Sequence, residues 1–197
     1  MLIHAKYRSG FSLIELVITL TIAALLLFLA ESSFSGWIGN AKARSVAESL
    51  QNGLRLAQAE AVRRNRQVAF VLTNSSPAVN VAANANGNNW YAQVLPIYST
   101  EVVSVPYVQG GSFASIASGV TVAGSALICF NSLGRVVVNS SASVTAAFGA
   151  SCAATNAVYS ITAPGANRTY QVQVNMGGQV RMCDASRALS PTAPDGC

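Results

Sequence analysis

The chain has 197 residues, 51% of them apolar and only 10% charged, against the roughly 25% charge of an ordinary soluble domain. That is room for one sizeable core, and it excludes whole-chain disorder and an array of several domains. With 12 Lys and Arg against 7 Asp and Glu the net charge is +5, short of a polybasic protein, and the one histidine, His4, precedes the first apolar run, so His-based triads and most zinc sites are excluded once a leader is removed.

Residues 1–10, MLIHAKYRSG, carry Lys6 and Arg8 and no acid; residues 11–30, FSLIELVITLTIAALLLFLA, carry Glu15 as their only charge. Twenty apolar residues just span a bilayer. A secretory signal has a core of about 7–15 residues ending in a small-residue cleavage site, whereas here the small residue, Gly10, precedes a longer run. A carboxylate in a membrane helix costs on the order of 2.5–3.5 kcal/mol near the bilayer centre and less toward the interface, so Glu15 needs a partner. Cleavage after Gly10 would supply one, the new α-amino group of Phe11 on an adjacent subunit.

The run Gly10-Phe11-Ser12-Leu13-Ile14-Glu15 resembles the prepilin cleavage motif of type IV pilins and type II secretion pseudopilins. The resemblance implies that a prepilin peptidase cuts after Gly10 and methylates Phe11, and that Glu15 registers the subunit in a filament.

Further along, Gly36, Gly39 and Asn40 weaken a helix without breaking it, and the first proline is Pro77, so the helix-loosening proline of many pilins is missing after the apolar run. From 41 to about 66 the apolar positions Val46, Leu50, Leu54, Ala57 and Ala61 step by 4, 4, 3 and 4, a helical stripe. Arg44 with Glu48 and Glu60 with Arg64 stand at i,i+4, and Arg63, Arg64 and Arg66 fall where cations complement the helix dipole. One continuous helix of about 55 residues would be about 80 Å long.

After Gln67 the pattern changes to period two. Strands are predicted at 67–73, 90–95, 101–108, 126–131, 135–138, 158–162 and 168–175, with hairpin turns at 131–134 and 175–178 and an Asn/Ala/Ser-rich loop at 75–89. A long helix followed by strands is an α+β order; the resemblance to pilins implies a pilin-like fold, with the helix packed on an antiparallel β-sheet head. The chain divides into a leader (1–10), the membrane or filament-core half of the helix (11–40), a head (41–182) and an irregular tail (183–197).

Cys129, Cys152, Cys183 and Cys197 are even in number, lack CxxC spacing and follow an export signal, which favours disulfides over a metal site. Of the three pairings four cysteines permit, sequence neighbours are expected: Cys129 with Cys152, and Cys183 with Cys197.

Three stretches resemble the FimT/FimU and GspH group within the pilin superfamily: 49–70 (SLQNGLRLAQAEAVRRNRQVAF), 129–135 (CFNSLGR) and 174–183 (VNMGGQVRMC). That resemblance implies a minor pilin of a type IV pilus, held in the inner membrane with its head in the periplasm and then built into the pilus near the tip. Its partners would be other minor and major pilins, the pilus assembly machinery and the prepilin peptidase. Two alternatives are a GspH-type pseudopilin of a type II secretion system and a DNA-uptake receptor. FimT-type pilins are associated with a Gly-Arg-x-Arg motif for DNA; this chain has Gly178-Gln179-Val180-Arg181, which leaves Arg181 and Arg187 as the candidate phosphate contacts, offset by Asp184 and Asp195. The head holds only five acids and no His, and no nucleophile elbow or phosphate loop occurs, so no catalytic residue, cofactor or metal is assigned.

Overall fold

The structure, a computed structural model, describes residues 12–98 and 100–197, and the backbone alone of residues 29–33. Helix α1 (Leu13–Arg64) runs unbroken for 52 residues, about 78 Å at 1.5 Å per residue. It ends at Asn65, whose left-handed backbone (φ 51) turns the chain out, and Arg63 and Arg64 occupy the last turn. Ala43, Val46, Ala47, Leu50, Leu54, Ala57 and Ala61 are fully buried, so the predicted stripe is the face on which the head packs.

Gly39 has a packing role. A Cβ at 39 would lie 2.5 Å from the Ala166 nitrogen and 2.8 Å from the Pro164 oxygen, so a loop of the head rests directly on the helix backbone there. Asn40 completes the seat: its Oδ1 accepts from the N–H groups of Asn167 (3.2 Å) and Arg168 (3.1 Å), and its amide donates to Asn167 Oδ1 at 2.7 Å.

The head is antiparallel β-sheet, as expected, arranged as two four-stranded sheets. The first has the order β3-β2-β1-β5, from β1 (Val68–Thr73), β2 (Asn89–Val94), β3 (Tyr107–Ser112) and β5 (Leu127–Phe130). The second has the order β4-β6-β7-β8, from β4 (Thr121–Ala123), β6 (Ala157–Thr162), β7 (Tyr170–Val174) and β8 (Val180–Asp184). All six residues of β1 are buried, because the strand is covered on both faces. Val68, Phe70 and Leu72 face α1, while Ala69 and Val71 face a second core with Tyr91, Cys129, Phe148 and Cys152. In the second sheet β7 alternates buried and half-buried positions, the signature of a strand with one face on the core.

Four differences from the expected elements stand out. The strand predicted at 101–108 begins only at Tyr107: Pro106 has no amide to give a ladder, and Glu101 is drawn aside to cap the Arg66 guanidinium. The strand predicted at 135–138 is a single bridge, Phe130 to Val136. The loops also carry two short helices, α2 (Phe113–Ile116) and α3 (Ala142–Phe148). β8 continues to Asp184, so the last strand crosses the boundary drawn between head and tail.

Candidate functional site

Every described side chain from Ser12 to Phe28 is exposed. Eleven of them are large and apolar, from Leu13 (82% exposed) to Phe28 (78%). Burying such side chains is worth about 1.5–3 kcal/mol each, so this half-helix needs lipid or other helices around it. The threonines do not break its apolar surface, since Thr19 and Thr21 donate their hydroxyls back to the carbonyls of Leu16 (2.9 Å) and Ile18 (2.8 Å). Glu15, in the first turn, is exposed and has no partner among the described residues. It is the one charge presented by residues 12–28. Gly10 and Phe11 lie outside the described residues. Among the described residues no helix is long and apolar enough to cross a membrane.

On the head, the cysteines pair as sequence neighbours, Cys129 with Cys152 (Cα–Cα 5.6 Å) and Cys183 with Cys197 (Cα–Cα 5.2 Å). The first bridge crosses the second core. The second ties the tail to β8 and closes a loop with a sequence separation of 14; in the chain-entropy model a loop of that size is worth about 3 kcal/mol.

Both candidate phosphate contacts are spent on this tail. Arg181 Nη2 donates to the carbonyls of Gly196 (2.7 Å) and Pro194 (3.4 Å), and Arg187 lies 3.5 Å from Asp195. Asp184 is buried beneath them. Burial works against its charge, but the hydroxyl and N–H of Ser186 and the cations Arg168 and Arg187 outweigh it and hold the carboxyl below its ordinary range. The other acids of the head are engaged in the same way. Glu48 meets Arg44 at 2.8 Å, Glu101 meets Arg66, and Glu60 meets Arg63 and Arg64 at 2.7 Å each. Hydrogen bonds from Arg63 lead in pulling Glu60 down to about 2; burial opposes this and Arg64 adds to it. All five head carboxylates therefore face arginines, and among the described residues no three His, Cys, Asp or Glu gather as metal ligands.

Sequence reasoning missed Gln58. This helix residue donates its amide to the carbonyls of Gly134 (2.7 Å) and Gly178 (2.8 Å), so it joins the tips of both predicted hairpin turns. The two tips touch: at Gly178 (φ +92) an added Cβ would lie 1.9 Å from the Gly134 oxygen. The turns at 131–134 and 175–178 are thus one structural knot on α1.

A sequence model of the family described as "Type II transport protein GspH" matches residues 46–178, and one of the prokaryotic N-terminal methylation motif matches residues 5–30. No curated protein matches. Among solved structures, the type IV minor pilin FimU of Pseudomonas aeruginosa is similar in two crystal forms. Both are 15% identical, with TM-scores of 0.47 and 0.49, covering 76% and 78% of this chain and 98% and 96% of FimU. The minor pseudopilin EpsH of the Vibrio cholerae type 2 secretion system is 11% identical at a TM-score of 0.45, covering 74% of this chain and 99% of EpsH.

Proposed function

Because the chain belongs to the GspH family of pilin-like proteins, a membrane-anchored minor pilin or pseudopilin that assembles into a filament, we propose that it is a minor pilin of a type IV pilus that primes or caps assembly near the tip. The observation that carries this reading is the exposed apolar half of α1 with Glu15 as its one charge. In the inner membrane that surface is covered by lipid while the head stands in the periplasm. The prepilin peptidase cuts after Gly10 and methylates Phe11. The helix then leaves lipid for the packed helices of neighbouring pilins, and Glu15 compensates a neighbour's terminal amine in the low-dielectric core. The work is packing, and no catalytic residue is proposed.

A second reading, a minor pseudopilin of a type II secretion system, is favoured by the family's own description. Deleting the gene separates the two. Loss of sheared surface pili with secretion intact supports the pilus; loss of secretion with normal pili assigns the protein to the secretion system. The DNA-receptor reading is left with little to carry it, since the tail occupies Arg181 and Arg187. Salt-dependent DNA binding that falls in Arg181→Gln and Arg187→Gln would restore it.

A further inference from the structure

Among the described residues of the head, 41–197, twelve large apolar side chains are exposed, and eight of them lie at the end farthest from Glu15. The close of α1 marks that end. Arg64 donates to the Val105 carbonyl (2.9 Å), Arg66 pairs with Glu101, and Gln67 accepts from the Asn139 amide (2.7 Å). Gln58 holds the hairpin tips at Gly134 and Gly178 beside them. The loop after β2 contributes Ile97, Tyr98, Val102 and Val105, and Val102 is 92% exposed. The helix end and the hairpin segments contribute Val62, Leu133, Val138 and Met176, each more than half exposed. At the opposite end, where Arg168 meets Asn40, the tail 185–197 exposes only Leu189.

This distal surface is furrowed. A cleft of about 700 Å³ opens between Ile97 and Val138, lined also by Gln67, Ser140, Ser141 and Ser143. A second, of about 310 Å³, continues past Leu95 and Pro96 to Val102, with Val144 and Phe148 of α3 on its other side. A large apolar side chain offers about 60–120 Å², so eight that are more than half exposed supply on the order of 500 Å². A stable protein interface takes about 800 Å² from each partner, about 56–65% of it apolar, or roughly 500 Å². The distal end thus carries the apolar content of one side of such an interface.

Two distances select the occupant. Residue 64 lies about 50 Å along the helix from the end of the apolar run at residue 30, so the bilayer that holds the chain does not reach this end. In a filament, the neighbour whose terminal amine meets Glu15 is displaced distally by four helical residues, about 6 Å, and later neighbours by further steps. Heads displaced in that way extend over the distal end of this one, so its cover is continuous with the packing of the helices. Both carboxylates at this end, Glu60 and Glu101, are held by arginines of the head, so the partner is selected by apolar fit rather than by cations.

From these features we infer that the distal end of the head is covered by the head of another pilin-like subunit already in the filament, which makes this chain an inner subunit and not the outermost one. The inference rests on assembly into a filament. It adds the face that is covered and the place of this chain in the order of subunits.

The test uses cells producing the full chain with a photoreactive benzoylphenylalanine in place of Val102. After irradiation, sheared filaments should yield an adduct with a second protein, identified by mass spectrometry as one whose gene encodes its own prepilin-type N-terminus. Separately, Val102→Asp combined with Val105→Asp should leave the membrane fraction and Tm as in the parent, because both side chains are solvent-exposed, and should lower the filament fraction several-fold. A labelled chain present in filaments without an adduct, or an adduct with a protein of another kind, overturns the covered end and leaves filament assembly intact. So does a doubly substituted chain incorporated like the parent. A parent chain missing from the filament fraction overturns assembly itself, and the covered end with it.

Discussion

Removing the Gln58 amide should loosen the head at the point where its two sheets meet the helix. In Gln58→Ala two carbonyls, Gly134 O at 2.7 Å and Gly178 O at 2.8 Å, lose their shared donor. Both glycines are buried, so water replaces that donor poorly. A typical intramolecular hydrogen bond contributes about 0.5–1.5 kcal/mol net and a buried group left unpaired costs about 1–3 kcal/mol, which puts the loss at about 2–3 kcal/mol for the pair. For a domain of this size each 1 kcal/mol lowers Tm by about 2–4 °C, giving an expected drop of about 4–12 °C. Thermal unfolding of the full chain in detergent, followed by near-ultraviolet circular dichroism, reads it. Gln58→Glu sharpens the test, since a carboxylate facing two carbonyls repels them at neutral pH and can donate again only when protonated. Its deficit should therefore shrink as pH falls. A Gln58→Ala Tm within about 1 °C of the parent would refute the claim that this amide holds the two hairpin tips together.

Gly178→Ala should cost more than Gln58→Ala and lower the yield of folded protein, because φ +92 and a Cβ 1.9 Å from the Gly134 oxygen cannot both be kept; the yield extracted in detergent and its Tm measure it. Tyr159→Phe should be neutral or raise Tm, because the Tyr159 hydroxyl is fully buried, with its ionisation pushed up by burial, and has no hydrogen-bond partner among the described residues. A Tm loss of several degrees in that variant would contradict the packing described. Acid should destabilise the head with a definite sign. Glu60 falls from an ordinary 4.5 to about 2 on folding and Asp184 is also lowered, so their contributions are full above the ordinary carboxylate range and are lost as pH falls through the folded values. In a pH series of Tm, Glu60→Gln should flatten the decline between 4.5 and about 2.

What the sequence made legible and what it hid divide along the range of the interactions. The stripe Val46, Leu50, Leu54, Ala57, Ala61 follows from a local period, and the Arg44–Glu48 and Glu60–Arg64 pairs follow from i,i+4 spacing. The turns at 131–134 and 175–178 were readable because Asn and Gly supply the required backbone, with Gly134 and Gly178 both at positive φ. Helix α3 was hidden: ASVTAAF has no charge pairing and Ser141 makes no side-chain cap, so its stability comes from Val144 and Phe148 in the second core beside the Cys129–Cys152 bridge. Gln58 was hidden because its partners lie 76 and 120 residues away, and a lone amide on a helix carries no pattern. The candidate phosphate contacts show the opposite lesson. Arg181 and Arg187 are visible as cations in the sequence, but only the fold brings Gly196 and Asp195 against them. Glycine in a helix reads as weakness, yet Gly39 is the surface on which the 164–166 loop rests.

The most direct test of the account is an immunoblot of membrane and sheared-filament fractions from cells producing the parent chain or Glu15→Ala. The account predicts equal amounts in the membrane fraction, because the apolar surface from Leu13 to Phe28 is unchanged, and a several-fold loss from the filament fraction, because the neighbour's amine has lost its carboxylate. Equal incorporation of Glu15→Ala into filaments would contradict the assembly role of the exposed half-helix.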